Sequence, residues 1–151
     1  MAKLKIVKIG DPVLRAVSRP VEKITPRTLQ LIDDMIETMR AAEGVGLAAP
    51  QVGVLRRIVV IETPEDGLFE LINPKIVAFA GEQRSEEGCL SIPGKYGTTV
   101  RPMHVTVRAI NRNGENIEVT GSGFLAKAFC HELDHLDGKL YIDCAIKMEN
   151  A

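Results

Sequence analysis

Residues 123–138 read Gly-Phe-Leu-Ala-Lys-Ala-Phe-Cys-His-Glu-Leu-Asp-His-Leu-Asp-Gly. Ser122 stands ahead of this stretch as a candidate cap and Gly138 lies just past its end, so a helix is expected from about Gly123 to Leu136. On a helix, His131 and His135 project from one face a turn apart and can hold one metal ion through their imidazoles. Glu132, next to the first of them, stands where a general base reaches a water on such an ion. An amphipathic helix with two surface histidines and a solvated Glu reads the same way. Against that, the chain has only three His in 151 residues.

What precedes this helix sets the fold class. An early helix is marked by Thr25 as cap and Pro26 in the first turn, with Leu29, Ile32, Met35, Ile36 and Met39 on one face, and is expected to end near Gly44. Arg57–Ile61 and Lys75–Ala80 read as strands. His104–Ile110 and Asn116–Thr120 flank the turn signal Asn113-Gly114 and read as a hairpin. Strands bracketed by two helices predict an α+β fold, with mostly antiparallel sheets packed around the C-terminal helix and an additional N-terminal helix. No linker or repeat divides it, so residues 1–151 are expected to be a single domain.

Composition narrows the function classes. Nineteen basic and twenty acidic residues give a net charge of −1, leaving no basic excess for a phosphate backbone. The longest apolar run, Ile76–Ala80, is far below the ~20 residues a membrane span requires. The start, MAKLKIVKIG, is too short and too charged for a secretory signal, and a cytoplasmic protein is expected. Three Cys at unrelated spacings are then free or metal-bound rather than paired.

A catalytic metal usually has three protein ligands. The pattern His-Glu-x-x-His-x-x-Gly-x-x-His of metzincin proteases is followed through Gly138, but Tyr141 stands where the last His belongs. Upstream, Glu86-Glu87-Gly88-Cys89-Leu90-Ser91 offers Cys89, whose thiolate suits zinc or ferrous iron. A lone Cys is otherwise a small buried hydrophobe, the reading given to Cys130 and Cys144. Pro93 limits regular pairing after this segment. Gly44-Val45-Gly46-Leu47-Ala48-Ala49 fits a dinucleotide fingerprint superficially, but it follows a helix and runs into Pro50, which excludes that reading. A tight turn there either brings the Gln51 amide to an oxyanion or leaves it in solvent.

Together GVGLAAPQVG, EEGCLS and CHELDHLDG, in this order and spacing, closely resemble the three signature motifs of peptide deformylases, and they span nearly the whole chain. Cys130 departs from the Gln common before the first His. The resemblance implies that Cys89, His131 and His135 are metal ligands and that Glu132 is the general base. It implies that the Gln51 side chain and the Leu90 N–H meet the oxyanion, and that Val45, Gly46, Phe124 and Ala128 bind substrate. It further implies one divalent metal ion, Fe2+ favoured with Zn2+, Ni2+ or Co2+ able to replace it. The implied substrate is the N-formyl-methionyl end of nascent peptides, with ribosome association open. Two other readings stand beside it. A metallopeptidase using the His pair would leave Cys89 dispensable, and a non-catalytic metal-binding or ribosome-docking module would not need Glu132.

Overall fold

A computed structural model describes residues 2–151. Helix α1, Pro26–Ala41, starts as its sequence dictates: Thr28 N–H donates to Thr25 Oγ1 at 3.3 Å while Thr25 N–H donates to Thr28 Oγ1 at 3.2 Å. Ile32, Met35, Ile36 and Met39 form its buried face. The helix ends three residues before Gly44. Glu43, not a glycine, takes the left-handed conformation (φ 56°), and Gly44 N–H bonds back to Met39 C=O at 2.9 Å. A Cβ on Gly44 would come within 2.6 Å of Leu90 Cδ1, so the Leu90 side chain would have to shift.

Eight strands follow: β1 Gly46–Ala48, β2 Ile58–Thr63, β3 Gly67–Ala80, β4 Gln83–Cys89, β5 Ile92–Arg101, β6 His104–Ile110, β7 Asn116–Ser122 and β8 Lys147–Asn150. They form two antiparallel sheets, one ordered β1-β2-β3-β6-β7 and the other β4-β5-β8. The α+β, mostly antiparallel expectation therefore holds. The β6–β7 hairpin turns at Asn113-Gly114 with Gly114 at φ 79°. Arg57 falls outside β2, and β3 is far longer than the expected Lys75–Ala80.

Helix α2, Phe124–Leu136, lies against β1, β2, β6 and β7. Its start corrects the sequence reading. Ser122 belongs to β7 and its hydroxyl bonds to His104 Nδ1 at 2.7 Å; Gly123 (φ 60°) is the cap and supplies no side-chain bond. At the other end Gly138 (φ 73°) closes the helix as expected.

The core has three parts. Leu125, Phe129, Leu133 and Leu136 of α2 pack with Val59, Ile61, Leu71, Val105 and Val107 on one face of the larger sheet. The α1 face packs with Leu47, Ile58, Val60 and Ile72 on the other. Leu14, Ile92, Leu140 and Tyr141 form a third cluster, against which Cys89 sits. Cys130 is buried as expected, and burial pushes its thiol up to about 11. Cys144 is the exception: it is exposed at the end of a short 3-10 turn, where its thiol donates to Tyr141 C=O at 3.4 Å. No helix among the described residues is long and apolar enough to cross a membrane.

Candidate metal centre

Cys89 is the last residue of β4, at the tip of a hairpin whose turn is Leu90-Ser91. Pairing runs from Cys89 opposite Ile92 to Glu87 opposite Gly97, so Gly88 faces a bulge that includes Pro93. That bulge turns Cys89 toward the face of α2 carrying His131 and His135. The ligand atoms of these three residues lie within 4.8 Å of one another, and Cys89 Sγ is 3.5 Å from His135 Nε2. Thiolate and imidazole on a tetrahedral ion stand about 3.6 Å apart, given bonds of ~2.3 and ~2.05 Å. The donor set and its spacing therefore fit a divalent transition metal.

A buried polar network orients one ligand. His131 Nδ1 is 2.8 Å from Glu87 Oε1. A carboxylate only accepts, so Nδ1 carries the proton and Nε2 is left free to ligate. Glu87 is gripped by Arg101 through Nε–Oε2 at 2.8 Å and Nη2–Oε1 at 3.0 Å, and accepts a further bond from Thr99 Oγ1. Arg101 also reaches Asp134 on α2 at 2.8 Å, tying β5 and β4 to the helix. Burial pulls the Glu87 carboxyl up, but hydrogen bonds from His131, Arg101 and Thr99 hold it down at about 2. Sequence reading missed this network. Its signal was a Glu two residues before the Cys and an Arg with no surface role, which carries no recognisable spacing.

Charge in the site favours a cation. Burial alone lowers the His131 pKa, yet Glu132, Cys89 and Glu87 around it raise it well above its usual value, so a metal ion would take the place of a proton on Nε2. His135, buried and beside His131, is pushed down to about 3, which leaves it neutral as a ligand must be. Glu132 is 5% exposed; its Oε2 lies 4.0 Å from His131 Nε2 and burial raises its carboxyl to about 7.

Opposite the histidines, Ala49–Val52 makes a 3-10 turn in which Gln51 is buried. Its Oε1 accepts from Ala48 N–H at 2.9 Å. The amide NH2 therefore points inward, donating to Ser91 Oγ at 3.1 Å with Cys89 Sγ 3.5 Å away. Gln51 is therefore not left in solvent. Gly46 approaches Glu132 so closely that a Cβ would fall 2.5 Å from Oε2.

A cavity of about 330 Å³ opens onto these groups. Val45, Gly46, Phe124 and Ala128 line it, together with Gln51, Leu90, Cys89, His131 and Glu132. Glu86 and Lys127 also line it, and sequence reading had not singled out Lys127. Tyr141 is not a ligand: its ring stacks on His131 at 6.0 Å within the third core cluster.

The polypeptide deformylase family model matches residues 3–151. The chain is 55% identical over 149 residues to a peptide deformylase of Halothermothrix orenii, covering 98% of this chain and 97% of that protein. It is 59% identical over 138 residues to one from Acetivibrio thermocellus, covering 91% and 81%. The crystal structure of the Thermotoga maritima peptide deformylase matches with a TM-score of 0.93 at 40% identity, over 96% of this chain and 99% of that one. With its Cys-His-His triad assembled beside a cavity that Cys89 and His131 line, the chain belongs to the polypeptide deformylase family, metal-dependent hydrolases that remove the formyl group from N-terminal formyl-methionine.

Proposed function

We propose that residues 1–151 act as one catalytic domain in which Glu132 moves the protons of deformylation. One observation carries this reading: a buried carboxylate stands beside the Cys89-His131-His135 triad on the wall of the cavity. Cys89, His131 and His135 would hold an ion, Fe2+ by preference with Zn2+, Ni2+ or Co2+ able to replace it, which would supply Lewis acidity and lower the pKa of water to about 7. Glu132 takes a proton from the attacking water and returns it to the amine as the formyl C–N bond breaks. The Gln51 NH2 and the Leu90 N–H donate to the oxygen that gains charge during attack, each donor worth ~2.7–4 kcal/mol of barrier. Ser91 and Ala48 hold Gln51 in the orientation that this requires.

Val45, Phe124 and Ala128 take the methionine side chain, and the backbone of Gly46 contacts the peptide. Formylated chain ends arise where proteins are made, which supports a cytoplasmic setting and association with ribosomes. Protein prepared without oxygen and loaded with Fe2+ should release formate from a formyl-Met tripeptide. Metal-replete protein that yields no formate overturns the proposal.

A further inference from the structure

One cationic side chain in the cavity wall has no part in the steps above. Lys127 lies on α2 one turn before His131, on the face shared with Phe124 and Ala128. Its stem leaves the helix and crosses to β4, where Nζ donates to the Glu86 carbonyl at 2.7 Å. The same ammonium stands 5.1 Å from the centre of the Phe124 ring. Glu86 and Phe124 both line the cavity, so the charge is held between two of its walls. An ammonium has three N–H donors. Among the described residues, Glu86 C=O is the one acceptor bonded to it. Its other two donors bond to no group among the described residues.

A methionine thioether makes little use of such donors, because its sulfur is a weak acceptor. Oxidation to the sulfoxide keeps the length of the side chain and gives it a polar oxygen. A wholly apolar pocket must desolvate that oxygen without a partner, which is costly. A pocket with an ammonium in its wall offers the partner. We propose that Lys127 is a specificity-determining residue that lets the enzyme deformylate chains beginning with formyl-methionine sulfoxide as well as formyl-methionine. The proposal rests on the reading that Val45, Phe124 and Ala128 hold the first side chain. The reaction itself is unchanged: water adds to the formyl carbon, the C–N bond breaks, and formate and a free amine leave.

The alternative role for Lys127 is a strut between α2 and β4, and it predicts different kinetics. A strut affects both substrates alike, whereas a donor affects the sulfoxide far more than the thioether. The test compares kcat/KM for formyl-Met-Ala-Ser and formyl-Met(O)-Ala-Ser in the metal-loaded full chain and in Lys127→Met, Lys127→Leu and Lys127→Arg. Using the ratio of the two substrates within each variant cancels differences in folding or metal loading. The wild type should prefer the thioether by no more than about tenfold. Loss of a charge-assisted bond should raise that preference by about 10- to 100-fold in Lys127→Met and Lys127→Leu, chiefly through KM for the sulfoxide. Lys127→Arg should stay near the wild-type ratio. A ratio that Lys127→Met and Lys127→Leu leave unchanged overturns the proposal. So does a wild type that releases formate from the thioether peptide alone. Formate from neither peptide overturns the deformylase reading and this inference together.

Discussion

Arg101 shows how much of this site depends on a residue that touches no substrate. It is 8% exposed and neutralises Glu87, which in turn fixes the His131 tautomer. Removing it leaves a buried carboxylate without its cation, a loss of ~3–5 kcal/mol. It also loosens the grip on Glu87, which holds His131 Nδ1–H, and losing such outer support typically weakens metal binding by about 10–100-fold. Arg101→Met is therefore expected to give up its metal faster in a chelator challenge. Arg112→Met breaks the comparable Asp33–Arg112–Glu70 cluster away from the site, and should lower stability without changing metal release. Equal metal release by the two variants would contradict the role given to Arg101. Glu132→Gln separates chemistry from binding. The amide keeps the shape but cannot take a proton, so metal content should persist while kcat falls by about 10²–10⁴-fold. Loss of metal in step with activity would make Glu132 structural instead.

At the scale of elements, β1 is the closest-fitting part of the site. Its first residue, Gly46, lies where any side chain would strike Glu132. Gly46→Ala should therefore lower kcat steeply while leaving the thermal midpoint within a few degrees. A drop in midpoint with normal kcat per folded molecule would place the cost in packing, not in the position of Glu132. The first helix was legible in the sequence because its apolar residues recur at helical spacing and Thr25-Pro26 announces its start, and the second because Gly138 marks its end. The β4–β5–β8 sheet was not. The inward side chains of β4 are Gln83, Ser85 and Glu87, and the buried Glu87 is paired with Arg101 from the next strand. Apolar alternation cannot reveal a strand whose buried face is polar. Ser122 misled for a related reason: a residue type that caps helices was already committed to the β7 ladder opposite His104.

At the scale of the whole molecule, the site exists because two sheets meet at α2. The hairpin tip of the smaller sheet supplies Cys89, while the larger sheet, through β1 and the turn after it, places Gly46 and Gln51 opposite the helix. Residue spacing alone could nominate the His pair, whose partners in helical register are local. It could only offer Cys89, because that contact depends on how two sheets dock, and the three motifs together had to supply the link. The same architecture predicts what metal removal does. Phe129, Leu133 and Leu136 hold α2 in the core without help from the ligands, and Cys89 rests against the cluster of Leu14, Ile92, Leu140 and Tyr141. Chelation is therefore expected to abolish formate release while the far-UV circular dichroism stays unchanged. An ion present at 100 times its Kd adds about 2.7 kcal/mol. For a chain of 151 residues, at about 2–4 °C per kcal/mol, that corresponds to a fall of roughly 5–11 °C in Tm on stripping. Refilling with Fe2+ or Zn2+ should restore both Tm and turnover. Collapse of the helical signal on chelation would mean instead that the metal, and not the three apolar clusters, holds the hairpin and helix together.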